Sequence, residues 1–303
     1  MDVSGTTWAR DAAGAQRGGG RPASARLGLT VPREWWPSAP LLKSYEAAGF
    51  GWVQLHSPPA SVLTDPRQCA AHGMATAAAL GTTSLEAVLH ARSELRAGSR
   101  AGDRAFEGML SYAAEVGARQ IVYHALALPE GEGANTALAA EARSLAVHAI
   151  TAERLGVTIA IENLAPVYPG PETLSATPIM LRGLVRRIGS PAVAICLDLG
   201  HAHVIADLRH TGLEALCEPA VELTSVFHLH DNLGARRRHS GRELGVDPLR
   251  LDLHLPPGRG TLPWARVAPL VAGRDAPLVL EVHPPYRAPV GELAAAAQRL
   301  LAI

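Results

Sequence analysis

The stretch at residues 157–164 reads VTIAIENL, and it is apolar on both faces before it ends in a carboxylate and an amide, Glu162 and Asn163. A second stretch, VAICLDLGH at residues 193–201, repeats this design and carries Asp198 near its end. A strand that is apolar on both faces is typical of a parallel sheet covered by helices on both sides. The two stretches therefore predict an α/β fold with acidic groups at the carboxyl ends of its strands.

The rest of the chain repeats the alternation of a short apolar run and a longer helical pattern. Eight runs are predicted to be strands: 25–31, 51–56, 85–91, 119–125, 157–164, 193–201, 225–232 and 277–284. Helical patterns lie at roughly 39–48, 65–80, 102–116, 135–155, 173–188, 203–218, 262–272 and 290–302. Eight β–α units predict a (β/α)8 TIM barrel built from a single domain, residues 26–303.

An open doubly wound sheet is the alternative fold. That fold usually carries a glycine-rich phosphate loop after its first strand, whereas the first run here continues into TVPREWWP, residues 30–37. Glycines also stand where four of the predicted helices should end, in a position that favours a left-handed backbone. They are Gly49, Gly117, Gly156 and Gly189.

Composition limits the classes of function. The 28 basic residues equal the 28 acidic ones, so the formal net charge is zero, which argues against nucleic-acid binding driven by charge. Three cysteines without a close pair and the lack of a bilayer-spanning apolar stretch predict a cytoplasmic protein with no membrane partner. Residues 1–25, rich in Gly, Ala, Ser and Arg, predict a disordered leader.

Imidazoles and carboxylates recur at the ends of seven consecutive predicted strands. They are His56, His90, His124, Glu162, Asp198 followed by His201, the segment FHLHDN with His228, His230 and Asp231, and Glu281 followed by His283. In a barrel all of these strand ends meet at one mouth. Clustered carboxylates repel one another unless a cation compensates, and lysine is absent from these positions. A divalent metal that accepts mixed imidazole and carboxylate ligands is therefore expected: Zn2+, Mn2+, Fe2+ or Co2+.

The segment LDLHLPPGRGTLPW, residues 251–264, adds a second signal. Its D-x-H pattern places Asp252 and His254 on the same side of an extended chain, where both can act as ligands. The preceding loop carries an arginine cluster, Arg236, Arg237, Arg238 and Arg242. We expect this cluster to lie in a solvated loop; the alternative is that it binds a substrate phosphate.

The phrases IAIENL, ICLDLGHAH, FHLHDN, LDLHLPPGRG and LVLEVHPP resemble the xylose-isomerase-like TIM barrels, also called the AP endonuclease family 2 superfamily. In its isomerase and epimerase branch the resemblance implies one metal held by Glu162, Asp198, His228 and Glu281, with His201 touching substrate. In its endonuclease IV branch it implies three zinc ions. The matching positions for that larger set are His90, His124, Glu162, Asp198, His201, His228, Asp252, His254 and Glu281.

The resemblance implies a metal-dependent isomerase or epimerase that acts on a sugar or related α-hydroxy carbonyl compound through an enediolate. Glu162 and Glu281 would serve as the acid/base pair. The substrate-facing residues are expected to be His201, His56, His230, Asn163 and Arg259. One to three ions are expected, and association into a homo-oligomer remains open. The alternatives are a multi-zinc phosphodiesterase, although the neutral charge and the short segment after His56 count against a DNA enzyme, and a non-catalytic ligand-binding barrel.

Three tryptophans near the first two strands, Trp35, Trp36 and Trp52, are expected to pack in the core. A floor for a sugar ring is the alternative interpretation of these side chains.

Overall fold

A computed structural model describes residues 23–125, 132–166, 173, 175–235 and 251–302 of the 303-residue chain. The predicted leader lies outside the described residues, except that Ala23–Arg26 form a single 3-10 turn. The arginine cluster at residues 236–242 also lies outside them.

Eight parallel strands close into a barrel in chain order, and the first strand pairs with the last. Their bounds are β1 Leu27–Thr30, β2 Trp52–His56, β3 Glu86–His90, β4 Gln120–His124, β5 Thr158–Glu162, β6 Val193–Asp198, β7 Thr224–Leu229 and β8 Leu278–Leu280. The TIM barrel prediction is thus confirmed, and closure rules out the open doubly wound alternative.

Helices follow the strands and cover the outside of the barrel. They are α1 Ala39–Ala47, α2 Ala60–Leu63, α3 Pro66–Leu80, α4 Arg100–Val116, α5 Glu132–Leu155, α6 Pro178–Ile188, α7 Leu199–Leu208, α8 Leu213–Val221, α9 Trp264–Ala272 and α10 Val290–Leu301. One predicted helix, 203–218, is in fact two, α7 and α8. Because α7 begins directly after β6, His201 lies in its first turn, and the Asp198 carboxylate caps that turn by accepting from the His201 backbone N–H at 2.7 Å. Within the described residues, no helix is both long and apolar enough to cross a membrane.

The four predicted glycines adopt the left-handed backbone, with φ between 66° and 90°. Gly117 ends α4 and Gly189 ends α6. A side chain at φ near +70° meets its own carbonyl, so only glycine turns the chain there at little cost. These turns return the chain to the start of β4 and β6.

The barrel interior is built in layers. A floor layer of six buried side chains packs together inside the barrel: Val88, Val122, Ala160, Cys196, Val226 and Val279. Side chains alternate along a strand, so the residue two positions later points to the same interior, one layer closer to the mouth. Those residues are His90, His124, Glu162, Asp198, His228 and Glu281. Because side chains alternate along each strand, six strand ends that are distant in sequence form one polar layer above the apolar floor layer.

The tryptophans divide into two kinds. Trp52 is half-buried and packs against the floor layer, as predicted. Trp35 and Trp36 lie in the turn after β1 with 51% and 48% of their surface exposed, so the prediction of core packing is wrong for both. Both lie in a tight turn, in which the backbone N–H of Trp35 donates to the Pro32 carbonyl at 2.9 Å.

Candidate metal centre

Ten side chains form three adjoining donor groups at the barrel mouth. Nine of them are the predicted metal ligands, and the tenth is His230. The central group is Glu162, Asp198, His228 and Glu281; the β3–β5 group is His90, His124 and Glu162; the loop group is His201, His230, Asp252 and His254. Within each group the ligand atoms lie within 4.8 Å of one another. Glu162 belongs to two groups, so one carboxylate joins them.

The central group is buried. His228 Nδ1 lies 3.2 Å from Glu162 Oε1, 3.4 Å from Glu281 Oε2 and 3.8 Å from Asp198 Oδ2. None of the four side chains is more than marginally accessible. Three carboxylates thus face one imidazole nitrogen in a buried space, which is a costly arrangement unless positive charge is present.

Gln54 orients this group, and the sequence analysis did not single it out. Its amide oxygen lies 2.8 Å from His228 Nε2, and its amide nitrogen donates to Glu281 Oε1 and, at 3.2 Å, to Thr30 Oγ1. His228 Nε2 therefore carries a proton, and Nδ1 is the ring nitrogen that faces the carboxylates. The available signal was an amide between two apolar residues, Val53 and Leu55, in the middle of the strand WVQLH.

The β3–β5 group meets at the other oxygen of Glu162. Glu162 Oε2 lies 3.0 Å from His124 Nε2 and 3.3 Å from His90 Nε2. His90 Nδ1 lies 2.7 Å from the Ala91 carbonyl oxygen and donates to it, which leaves Nε2 as the ligand atom. The two oxygens of Glu162 therefore serve different groups, as in a bridging carboxylate.

The loop group meets at Asp252. Asp252 Oδ1 lies 2.9 Å from His254 Nε2 and 3.4 Å from His201 Nε2. His201 Nδ1 donates to the Asn163 carbonyl at 2.8 Å, and His254 Nδ1 donates to the Glu281 carbonyl at 3.1 Å. His254 holds this orientation at φ 50°, an uncommon conformation for a residue other than glycine.

Four of the imidazoles share one arrangement. In His90, His201, His228 and His254 one ring nitrogen donates to a backbone or amide oxygen and the other faces carboxylates. Metal-ligating histidines are held in this way, because the outer hydrogen bond fixes the tautomer and the ring plane. A set of packing histidines has no reason to repeat it four times.

Unsatisfied buried polar atoms in the donor groups also fit a divalent cation. Glu162 Oε2, Asp198 Oδ2 and His230 Nε2 are buried polar atoms that no hydrogen bond of regular geometry satisfies. All three point into the donor groups, and such buried atoms normally have a partner. A divalent metal with imidazole and carboxylate ligands supplies that partner.

The ionisation of the glutamates suits this role. Burial raises the pKa of Glu281, but His228 and His90 outweigh it and lower that pKa to about 2. Burial also raises the pKa of Glu162, but His228 and His124 outweigh it and hold that pKa well below its usual range. Both carboxylates are therefore ionised at neutral pH, as metal ligands must be.

Asp231 holds the loop that carries Asp252 and His254. Its fully buried carboxylate accepts four N–H bonds of 2.9 to 3.0 Å, from Asn232, Gly258, Leu262 and the indole of Trp264. Asp231 also pairs with Leu255 in both directions through the backbone at 2.8 Å. Its carboxylate bonds are made to the segment that carries the loop group, so we infer that Asp231 positions that group.

We expect Asp231→Asn to lower the free energy of unfolding by about 2–5 kcal/mol. The asparagine side chain replaces one accepting oxygen by an NH2 group, so buried N–H donors that bonded this oxygen lose their acceptor. Urea unfolding of the metal-free protein measures the change, with the exposed Asp275→Asn as control. Equal unfolding free energies for the two variants would contradict the positioning role.

A cavity of about 740 Å³ opens above the donor groups. Of the predicted substrate-facing residues, His56 and His201 line it, together with Glu162 and Glu281. Arg259 instead lines a separate cavity with Pro256 and Tyr286.

Two further predicted contacts lie beneath the cavity surface. Asn163 is fully buried and ties the ends of β5 and β6 together: it donates to the Asp198 carbonyl at 2.9 Å and accepts from the Asp198 N–H at 2.8 Å. His230 is also fully buried and lies 3.2 Å from Asp198 Oδ1, within the loop group. Neither side chain is among the residues that line the cavity.

Solved structures share this architecture. A D-tagatose 3-epimerase-like protein is 20% identical with a TM-score of 0.66, covering 91% of this chain and 95% of its own. The 3-keto-D-glucoside 4-epimerase from E. coli is 16% identical, with a TM-score of 0.66 and 92% and 99% covered. The TTHB071 protein from Thermus thermophilus, solved after soaking with zinc chloride, is 22% identical, with a TM-score of 0.62 and 90% and 98% covered. At these identities the likeness concerns the fold.

No curated protein matches the chain. The family model of the xylose isomerase-like TIM barrel matches residues 42–302, which include every donor residue described above. The chain therefore belongs to the xylose isomerase-like TIM barrel family.

Proposed function

We propose that this chain is a divalent-metal-dependent isomerase or epimerase that acts on a sugar or a related α-hydroxy carbonyl compound. The observation that carries the proposal is the pair Glu162 and Glu281. They come from β5 and β8, which β6 and β7 separate, yet both lie within 3.4 Å of His228 Nδ1 and both line the cavity. Sugar epimerases among the structures of the same fold agree with this choice.

The central group, Glu162, Asp198, His228 and Glu281, would hold the metal. When bound, a divalent cation polarises a carbonyl and offsets the negative charge that develops on deprotonation. The chain's own part is the transfer of a proton: one glutamate removes it from the carbon next to the carbonyl, and the other returns it.

His56 would donate a hydrogen bond to a substrate oxygen. Burial, with the neighbouring His90, lowers the pKa of His56 to about 3, so its ring is neutral and keeps one N–H. His56 lines the cavity, and its ring centroid lies 5.4 Å from that of His90. A neutral donor at this place can bind a hydroxyl or carbonyl without competing for the metal.

Charge around the cavity favours a neutral substrate over a phosphate ester. Among the described residues, the arginines that line it are Arg33 and Arg92, and both lie beside Glu94, at 3.1 Å and 3.7 Å. A phosphate site needs guanidinium groups that are available to the ligand. Here a phosphate would have to compete with the Glu94 carboxylate for both of them.

Hydrogen exchange tests the proposal without knowledge of the product. A panel of ketoses and aldoses would be incubated in D2O with the protein reconstituted with Mn2+, Co2+ or Zn2+. We expect deuterium at the carbon next to the carbonyl of at least one sugar, detected by NMR, because isomerisation and epimerisation both pass that proton through a carboxylate. The proposal would be contradicted if no sugar incorporated deuterium faster with the protein than with the free metal ion alone.

A second candidate function, a multi-metal phosphoester hydrolase, is favoured by the β3–β5 and loop groups, which complete a three-ion donor set. Several ions, when bound, stabilise charge on a phosphate. The variant Asp252→Asn separates the two candidates: it should lower a hydrolase rate by about 100-fold or more, but an isomerase rate by less than about tenfold. Hydrolysis of bis(p-nitrophenyl) phosphate and the exchange assay give the two readouts.

A further inference from the structure

We propose that the two exposed tryptophans after β1 form a subsite for a second sugar ring, so that the substrate is a glycoside of about disaccharide size. This inference rests on the proposed function and adds the substrate class to it. Large aromatic side chains are scarce here, at 4% of the chain, and two of its five tryptophans are about half exposed in adjacent positions. Exposed indoles of this kind commonly mark a binding surface.

The tryptophans line a cavity of about 270 Å³. That volume lies below the range of sites for whole drug-sized ligands and suits a single ring. The cavity adjoins the larger one above the donor groups, since the two share Pro32, Arg33, Glu34, His56 and Arg92 as lining residues. A molecule bound at the metal centre would extend past His56 into the space beside the indoles.

Both indoles are held in place rather than loose. The Trp36 ring meets the His72 ring edge-on at 5.1 Å, and His72 Nδ1 lies 3.1 Å from the Tyr112 hydroxyl. Thr76 Oγ1 lies 3.0 Å from the same hydroxyl. The Arg287 guanidinium lies 5.7 Å from the Trp35 ring centroid. Rings that are already ordered lose little conformational entropy when a ligand binds.

The polar lining points to a sugar rather than a purely apolar ring. Glu34, at the border of both cavities, is exposed and offers acceptors for hydroxyl groups. The C–H face of a pyranose ring packs on an indole while its hydroxyls bond a carboxylate at the edge. The same carboxylate would repel the phosphate of a nucleotide, which is the competing ring-bearing ligand.

Binding measurements on the metal-loaded protein test the subsite. Fructose, the ketose disaccharides lactulose, maltulose and palatinose, and a thymidine dinucleotide would be titrated by calorimetry. The proteins would be the wild type, Trp35→Ala, Trp36→Ala and the control Met74→Ala, which alters an exposed α3 side chain that lines neither cavity. We expect at least one disaccharide to bind about tenfold tighter than fructose, and each tryptophan variant to lose most of that gain while fructose affinity stays unchanged.

Each outcome decides between the claims. Equal affinity of fructose and all the disaccharides, or an unchanged preference in both tryptophan variants, would overturn the subsite but leave the proposed function standing. A tryptophan-dependent preference without hydrogen exchange would support the subsite and overturn the proposed function. Binding of the dinucleotide in preference to every sugar, or of no sugar at all, would overturn both.

Discussion

Glu162→Gln and Glu281→Gln are each expected to lower kcat by about 1,000-fold or more, because a glutamine amide can neither remove nor return the substrate proton. The change is isosteric, so the strand ends and the apolar floor layer below them should keep their packing. Both glutamates are ionised in the fold and line the same cavity. The exchange assay with the best sugar of the panel measures the effect.

The matched control for both variants is Glu107→Gln, an exposed position on α4 that should leave kcat unchanged. Metal content must be measured in parallel, since both glutamates would also be ligands in the central group. A variant that retains its metal and turns over within a few-fold of the wild type would show that the glutamates are not the proton-transfer pair.

Removal of the metal is expected to abolish turnover and to lower the melting temperature. A ligand present at a thousand times its dissociation constant stabilises the fold by about 4 kcal/mol. In a chain of this length that corresponds to roughly 8 °C. Without the cation, the carboxylates of Glu162, Asp198 and Glu281 face one another around a single imidazole, with buried atoms left unsatisfied.

Dialysis against a chelator at neutral pH, followed by a thermal scan and by add-back of Mn2+, Co2+ and Zn2+, measures both effects. Asp198→Asn serves as the comparison, because it removes one ligand of the central group and should be far less sensitive to the chelator. Full activity and an unchanged melting temperature after exhaustive chelation of the wild type would contradict a metal centre.

The barrel and its polar layer were open to prediction because both follow from periodicity. Parallel strands that are apolar on both faces are recognisable in the sequence as short apolar runs. Every strand ends within a few residues of the predicted place. Alternation along a strand then places Glu162 directly above Ala160 and His228 above Val226 in the barrel interior. The resemblance to a known family contributed the roles, whereas the geometry follows from the strand period.

What could not be predicted depends on contacts between distant segments. Gln54 looked like an ordinary strand residue until the barrel placed it against His228 and Glu281. Asp231 lies beside two histidines in FHLHDN, yet it turns away from them to hold the loop that follows. Asn163 was expected on the substrate and instead joins two strands through the backbone of Asp198. Arg259 follows the D-x-H segment closely in sequence but lies at another cavity.

The direction of an exposed side chain was equally hidden from sequence. Trp35 and Trp36 are apolar by type, and burial was the reasonable expectation. Both lie in a tight turn after β1 and are about half exposed.

Anomalous diffraction from crystals grown with Mn2+ or Zn2+ tests the central claim most directly. The account predicts a strong peak about 2.0–2.3 Å from His228 Nδ1 and from carboxylate oxygens of Glu162, Asp198 and Glu281. Data collected on both sides of the absorption edge would identify the metal. A map without a peak among these four side chains, from protein that is folded and active, would contradict it.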